Sequence, residues 1–255
     1  MNKTLFAVVA LGAMIGLQGC GGSGNSNTLP DPEVMFINGI PDTTNIDFTL
    51  NDVAEASNIP FMGTGGAFKS VEYILPDDGG YDIGIRRNGT TTYLDLFGTG
   101  FNRDTDNLLV AVGLQNPGSE PLKRPLILSF TVDRKAPTGT RSRIVFLNGL
   151  IRATGFDTPN VTFQSVIPGD PSSIDNPQFV TRDVPYSETR VLTVDAGARR
   201  FIVRRADTDA LVQYASTDFT FVAGKIYLAL ISGQESNPTL ALQPTMQFIE
   251  IETQE

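Results

Sequence analysis

The same strand-and-turn motif occurs in both halves of the chain. The segment VMFINGI at residues 34–40 recurs as IVFLNGL at residues 144–150. A repeat of this kind indicates that each copy forms a similar structural unit, because nearly the same side chains are buried in both. The chain is therefore expected to contain two similar domains in tandem.

Short apolar segments follow the motif in the same order in both copies. They alternate apolar with polar residues, are enriched in β-branched and aromatic side chains, and are separated by Gly, Pro, Asn and Asp. Residues 52–57 are expected to form at most a turn or two of helix. The pattern predicts an all-β fold of two tandem antiparallel β-sandwiches. The matching segments are 46–50 and 161–163, 81–86 and 201–204, 93–97 and 210–214, 108–113 and 226–231, and 126–132 and 246–251.

A charged segment with Pro and Gly, residues 133–141, separates the two copies and has the composition of a domain boundary. We place the first sandwich at residues 33–137 and the second at residues 138–255. Alternatively, the linker is shared and the two halves pack as one rigid unit. Before the first sandwich, residues 1–19 are expected to be a signal peptide and residues 20–32 a flexible, Gly/Ser/Asn-rich tether.

Cys20 is the only cysteine in the chain and ends the tetrad LQGC at residues 17–20. Lys3 and the apolar run 5–17 lie before it, and this run is too short to cross about 30 Å of hydrocarbon. The tetrad resembles the bacterial lipobox, which implies cleavage before Cys20 and acylation of the new N-terminus. Gly21 in place of aspartate implies an outer-membrane lipoprotein that faces the periplasm or the outside. The alternative is an ordinary secretory signal with an incidental cysteine.

Charge and composition exclude several classes of function. The net charge of -9 repels nucleic acid, so no nucleic-acid partner is expected. The arginines of residues 199–205 do not form one basic patch on a strand, because adjacent side chains point to opposite faces. The absence of histidine removes the commonest general base and the imidazole metal ligand. No cofactor and no catalytic residue are predicted, and a carboxylate-based glycoside hydrolase is left as an alternative.

Several short motifs in both copies are shared with a family of exported bacterial proteins. In the first copy they are FINGIPD at 36–42, IDF at 46–48 and GYDI at 80–83; in the second they are FLNG at 146–149 and AGARRF at 196–201. On these motifs, both copies resemble the DUF4397 domain, and the resemblance covers most of the mature chain. The second copy lacks the Pro-Asp turn of the first. The resemblance implies immunoglobulin-like sandwiches in the cell envelope, with no established catalytic role.

Two loop clusters of aspartates are candidate metal ligands. Asp77, Asp78 and Asp82 form the first cluster, and Asp104 and Asp106 form the second. Carboxylate oxygens are the ligands that calcium prefers, but neither cluster has the spacing of a loop that wraps one ion. The first cluster also has the composition of a hairpin turn between two strands.

Three aromatic residues are candidate ligand contacts, because they lie in Gly-rich loops. Phe61, Phe68 and Phe101 would form a platform for a sugar or another ligand if they were exposed together. Alternatively, these rings close the open ends of the sandwich.

Together these features predict a non-enzymatic envelope lipoprotein, held to the membrane by a lipid anchor at Cys20. Its role is expected to be interaction, display or adhesion toward an unknown envelope protein or glycan. A carbohydrate- or calcium-dependent ligand-binding module is the main alternative. No motif in the sequence identifies the partner.

Overall fold

The described part of the chain folds into short β-strands and contains no α-helix. This computed structural model describes residues 29–75, 78–118, 123–152, 158–170, 177, 179–214, 218–235, 237 and 239–254. The all-β class predicted from the sequence is confirmed. The first half contains β1 (Glu33–Asn38), β2 (Asn45–Leu50), β3 (Val53–Pro60), β4 (Lys69–Ser70), β5 (Tyr81–Arg87), β6 (Tyr93–Thr99), β7 (Asp106–Val112) and β8 (Leu126–Val132). The second half contains β9 (Arg141–Arg152), β10 (Val161–Val166), β11 (Phe179–Val184), β12 (Thr189–Asp195), β13 (Gly197–Arg205), β14 (Leu211–Tyr214), β15 (Phe219–Phe221), β16 (Ile226–Glu235) and β17 (Thr245–Ile251).

Each half is a sandwich of two sheets, and the strand order is the same in both halves. The inner sheets, which face each other, have the orders β4-β1-β7-β8 and β12-β9-β16-β17. The outer sheets have the orders β3-β2-β5-β6 and β11-β10-β13-β14, with β15 added to β13. The repeated motif forms β1 and β9, and every pair of matching segments occupies equivalent strands. The repeat in the sequence therefore corresponds to two halves with the same strand topology.

Two details differ from the sequence-based expectations. In each inner sheet one central pair is parallel, β1 with β7 and β9 with β16, because the chain crosses to the outer sheet between these strands. The predicted antiparallel sandwiches are therefore mixed at this pair. Residues 52–57, expected to be a helical turn, belong mostly to β3, which pairs with β2. Pairing with a neighbouring strand outweighs the helix preference of Ala and Glu in this short segment.

The asparagine of the repeated motif has a structural role in both copies. Asn38 and Asn148 are fully buried at equivalent positions of β1 and β9. Asn38 donates through Nδ2 to the carbonyl oxygen of Ile59 at 3.0 Å and accepts from the N–H of Ile40 at 2.9 Å. Asn148 donates to the carbonyl oxygen of Val184 at 2.9 Å. A buried amide with these partners joins the end of the strand to the facing outer sheet.

The described residues form three apolar cores, one inside each sandwich and one between them. Phe36 and Phe48 pack in the first sandwich with ring centroids 5.1 Å apart, and Phe146 and Phe163 pack in the second at 4.6 Å. The third, the interdomain core, fills the space between the two inner sheets. Its fully or almost fully buried members are Met35, Ile37, Met62, Leu108, Val110, Val112, Val132, Val145, Leu147, Ile226, Leu228, Leu230, Ile249 and Ile251.

The interdomain core explains why the central strands are apolar at nearly every position. On β1, Phe36 faces the first core and Ile37 faces the interdomain core; on β16, Ala229 faces the second core and Leu228 the interdomain core. A strand buried on both faces has a continuous apolar run instead of an alternating one. The two sandwiches therefore share a core between the central strands of their inner sheets.

The interdomain contacts are arranged with approximate two-fold symmetry. A Cβ atom on Gly39 would lie 3.2 Å from Leu230, and one on Gly149 would lie 2.9 Å from Val112. Gly39 and Gly149 are equivalent in the repeat. Val112 is equivalent to Ser232, because each follows the register partner of the motif asparagine, which is Ala111 for Asn38 and Ile231 for Asn148. In addition, the hydroxyl of Ser232 donates to the carbonyl oxygen of Gly39 at 2.5 Å. The sandwiches contact each other as the two subunits of an isologous dimer do.

The start of the described chain, the linker and the C-terminus meet at one end of the molecule, the tether end. There Arg103 donates to the carbonyl oxygen of Leu29 at 3.1 Å, and the N–H of Gln254 donates to the carbonyl oxygen of Arg134 at 3.0 Å. Strands β1 and β9 both start at this end. The loops after these strands, including residues 39–44, lie at the opposite end.

Candidate functional site

Two of the predicted site residues, Cys20 and Asp77, lie outside the described residues. Acylation of Cys20 therefore stays a prediction. Over the ranges that the structure describes, no helix has both the length and the apolar character needed to cross a membrane.

The other aspartates of the first predicted cluster are exposed at the tether end of the first sandwich. Asp82 lies on β5, and its backbone N–H donates to Asn51 Oδ1 at 2.9 Å. Asp78 precedes a turn at Gly79, but residues 71–75 form no strand, so this turn does not close the predicted hairpin. Among the described residues, no group of three His, Cys, Asp or Glu side chains is placed to hold a metal ion.

The second predicted cluster is separated into two different environments. Asp104 is exposed, and its N–H donates to the carbonyl oxygen of Pro30 at 2.8 Å. Asp106 is partly buried and forms an ion pair with Arg134, 3.1 Å between Oδ1 and Nη1. Burial raises the pKa of the Asp106 carboxyl; the Arg134 guanidinium opposes this effect, and the nearby Glu33 carboxylate adds to it. The loss of hydration exceeds the attraction of the arginine at this position.

Sequence reasoning missed Arg134, because this residue lies in the segment interpreted only as a linker. Its side chain is 6% exposed. The guanidinium forms ion pairs with Glu33 and Asp106, donates through Nε to the carbonyl oxygen of Glu252 at 2.9 Å, and lies 4.0 Å from the ring centre of Phe68. Arg134 thereby joins the first strand, the linker and the C-terminal segment in one place. The arrangement is a structural clasp, since Nε and Nη1 both donate to acceptors within the protein.

A cleft of about 460 Å³ opens beside this clasp. Two of its carboxylates accept hydrogen bonds from other residues of the lining: Asp133 Oδ1 accepts from the N–H of Lys135 at 2.9 Å, and Asp106 accepts from Gln254 at 3.2 Å. These two carboxylates are therefore held by contacts within the protein.

The three candidate aromatic rings do not come together on the surface. Phe101 is 5% exposed and packs in the first core against Tyr81, with ring centroids 5.7 Å apart. Phe61 and Phe68 are partly buried against the interdomain core. The structure therefore places them in two separate cores, and they do not form one exposed platform.

The arginines of residues 199–205 are separately paired, as the alternation of a strand predicts. Arg200 forms an ion pair with Asp218 at 2.7 Å, and Arg204 donates to Gln164 at 3.1 Å. Arg205 pairs with Asp207, and this hydrogen bond lowers the pKa of the Asp207 carboxyl to about 2.

A second cavity, of about 250 Å³, lies at one edge of the interdomain core. We call it the seam groove. It lies between β8 of the first sandwich and strands β9 and β12 of the second. Its apolar lining consists of Phe130, Val132, Val145 and Val191. Val191 is 61% exposed although its partner in the strand register, Val145, is 3% exposed. No sequence signal placed these residues together, because the groove exists only where the two sandwiches meet.

No protein-family model matches this chain, and no curated protein matches it in sequence. Among solved structures, it is similar to a crystal structure from Bacteroides ovatus ATCC 8483, described as a "putative cell adhesion protein". The TM-score is 0.25 at 13% sequence identity, and the alignment covers 88% of this chain and 96% of the other. At that TM-score the likeness assigns no function to this chain.

Proposed function

We propose that this chain is a lipid-anchored envelope protein of the DUF4397 type, whose two sandwiches act as one rigid module that binds a partner and carries out no catalysis. The single observation that supports this role is the interdomain core. A continuous apolar layer between two inner sheets resists bending between the domains, as a large hydrophobic interface does. A rigid pair can hold a binding surface at a defined distance and orientation from its anchor.

The position of the tether end fits this role. Residue Leu29, where the described chain begins, is held at that end by Arg103. An acylated Cys20 upstream would attach this end to the outer membrane, and two or more acyl chains anchor a protein durably. The loops at the opposite end, including residues 39–44, would then face away from the bilayer. Loops held by a rigid scaffold are where binding residues usually lie.

The absence of histidine from the chain and the internal pairing of the cleft carboxylates favour binding over catalysis. Neither the structure nor the sequence favours a particular hydrolytic mechanism. We therefore prefer the interaction role to the glycosidase alternative.

Two measurements test the proposal. First, cells that express the full chain are labelled with an alkyne fatty acid; the chain should carry the label, whereas Cys20→Ala should not. Second, the fluorescently labelled chain is titrated onto isolated cell envelopes, where the binding should saturate. An unlabelled Cys20 would reject the anchor, and binding that rises linearly with concentration would reject the interaction role.

A further inference from the structure

We propose that the seam groove and the adjacent free edge of β8 bind an extended peptide segment of a partner protein as an added β-strand, with one large apolar side chain of the peptide filling the groove. This inference deepens the proposed interaction role and rests on it. It does not depend on acylation of Cys20.

The free edge of β8 offers unpaired backbone groups. β8 is the last strand of its inner sheet, and β7 lies on its other side. The N–H of Ile127 donates to Asp95 Oδ2 at 2.9 Å, so it points away from β7. In an antiparallel pair this orientation recurs at every second residue. The N–H and C=O groups of Ser129 and Thr131 therefore also point to the free edge, where no described strand pairs with them.

The seam groove continues the interdomain core beyond the edge of the first sandwich. Val191 lies opposite Val145 in the β12–β9 register, so its side chain is on the face that packs against the first sandwich. It is nevertheless 61% exposed, because the first sandwich ends at β8. A strand added to β8 would extend that sheet over Val191 and cover it. Covering apolar surface of this kind favours association.

The approximate two-fold symmetry indicates what should fill the groove. β4 is equivalent to β12, and its register pairs Lys69 with Val34. Continuing this register by one residue would place Phe68 opposite Met35, which is equivalent to Val145 in the repeat. Phe68 therefore occupies the place that corresponds to Val191, packs against the interdomain core and is covered by Arg134. The place next to β4 is therefore filled by an aromatic ring of the chain itself. The equivalent place at β12, the seam groove, has a valine and a cavity.

The unpaired backbone groups on the edge of β8 favour a peptide as the ligand. Backbone N–H and C=O groups at every second residue match the spacing of another extended backbone, which supplies the complementary groups, and side-chain pockets then give specificity. The charges at the groove, Arg143 and Asp133, pair with each other at 2.8 Å, so the groove requires no charged ligand. A segment with apolar residues at alternate positions, at least one of them aromatic, has the required pattern.

The test uses the full chain in detergent and a fluorescein-labelled peptide with the sequence Thr-Phe-Thr-Phe-Thr-Lys. A peptide of the same composition without alternation, Thr-Thr-Thr-Phe-Phe-Lys, is the control ligand. Val191→Phe should fill the groove as Phe68 fills the equivalent place next to β4, and it should weaken binding of the alternating peptide by about tenfold or more. Val53→Phe is the matched control, because Val53 is also 61% exposed and lies in the first sandwich, away from the groove. This variant should bind as the original chain does.

Ser129→Pro provides a second, independent variant. Proline removes an N–H that points to the free edge, so the β7–β8 ladder stays intact and the thermal transition should change little. Binding of the alternating peptide should nevertheless fall by about tenfold. Hydrogen exchange should show that bound peptide protects the amides of Ser129 and Thr131.

Three results would overturn the proposal. These are no saturable binding of the alternating peptide at millimolar concentration, equal affinities of Val191→Phe and Val53→Phe, and equal affinities for the two peptides. A dimer in sedimentation analysis that is lost in Val191→Phe would assign the groove to a second copy of this chain instead. If the peptide fails while the chain still binds envelopes saturably, this site is rejected and the proposed function stands.

Discussion

Replacing Leu228 with alanine should destabilise the folded chain by about 3 kcal/mol, the cost of truncating a leucine in a well-packed core. Leu228 lies on β16, is 0% exposed and points toward the first sandwich. The loss combines about 1.5–3 kcal/mol of burial with a penalty for the cavity that remains. If the two sandwiches were apart in solution, this side chain would lie on an open sheet face. The same change would then cost no more than about 0.5 kcal/mol.

The assay is urea unfolding of the chain, followed by circular dichroism. Leu109→Ala, in the core of the first sandwich and also 0% exposed, provides the reference for a buried leucine. Leu240→Ala, at a site that is 82% exposed, provides the reference for a surface leucine. Leu228→Ala should resemble Leu109→Ala. A free-energy loss as small as that of Leu240→Ala would refute the reasoning, because the interdomain face would then be open to water.

Three further changes test the contacts at the tether end and in the repeated motif. Arg134→Ala should lower the free energy of unfolding, measured in urea melts, by about 3 kcal/mol, since it leaves two carboxylates without this partner. Arg134→Lys should restore less than half of the lost free energy, because lysine lacks the guanidinium fork. Asn38→Ala should cost about 2 kcal/mol in the same assay, because it removes the buried amide that donates to the carbonyl oxygen of Ile59; an unchanged midpoint would contradict that role. The pKa of Asp106 is raised in the folded state, so protonation of this carboxyl favours folding. The protonated carboxyl contributes its full stabilisation at pH values below the ordinary pKa of aspartate. This stabilisation is lost as the pH rises through the raised pKa of the folded state. Asp106→Asn should remove this part of the pH dependence from urea midpoints measured in mildly acidic buffers, and an unchanged slope would show that the group does not titrate in this way.

The fold could be predicted from the sequence where the information is local and repeated. The motif at 34–40 and 144–150 and the matching segments behind it identify equivalent strands in both halves, because strand alternation and turn residues are read directly from the chain. The parallel pairing of β1 with β7 could not be predicted in this way, since it depends on which strands meet after the chain has crossed between sheets.

The interdomain core left a signal that sequence reasoning did not use. Residues 108–112 and 226–230 are apolar at almost every position, which indicates burial on both faces. A sandwich that stood alone would expose one of these faces, and alternation would be expected there. This pattern favours the alternative of two halves packed as one unit.

The site could not be predicted to the same extent. Phe68 looked like a loop aromatic because its neighbours include glycine, yet it packs against the interdomain core beneath Arg134. The seam groove combines Phe130 from one half with Val191 from the other. Contacts between residues so far apart in the chain depend on how the sandwiches dock, and no local pattern encodes that geometry.

The most direct test of the rigid two-sandwich unit is a distance measurement between its halves. With Cys20 changed to serine the chain has no cysteine, so spin labels can be attached at cysteines introduced at Val53 and Val222, which are 61% and 52% exposed. Pulsed electron paramagnetic resonance should give a single narrow distance distribution, unchanged by moderate urea until the chain unfolds. A broad distribution, or two populations below the unfolding transition, would contradict a shared core between the sandwiches.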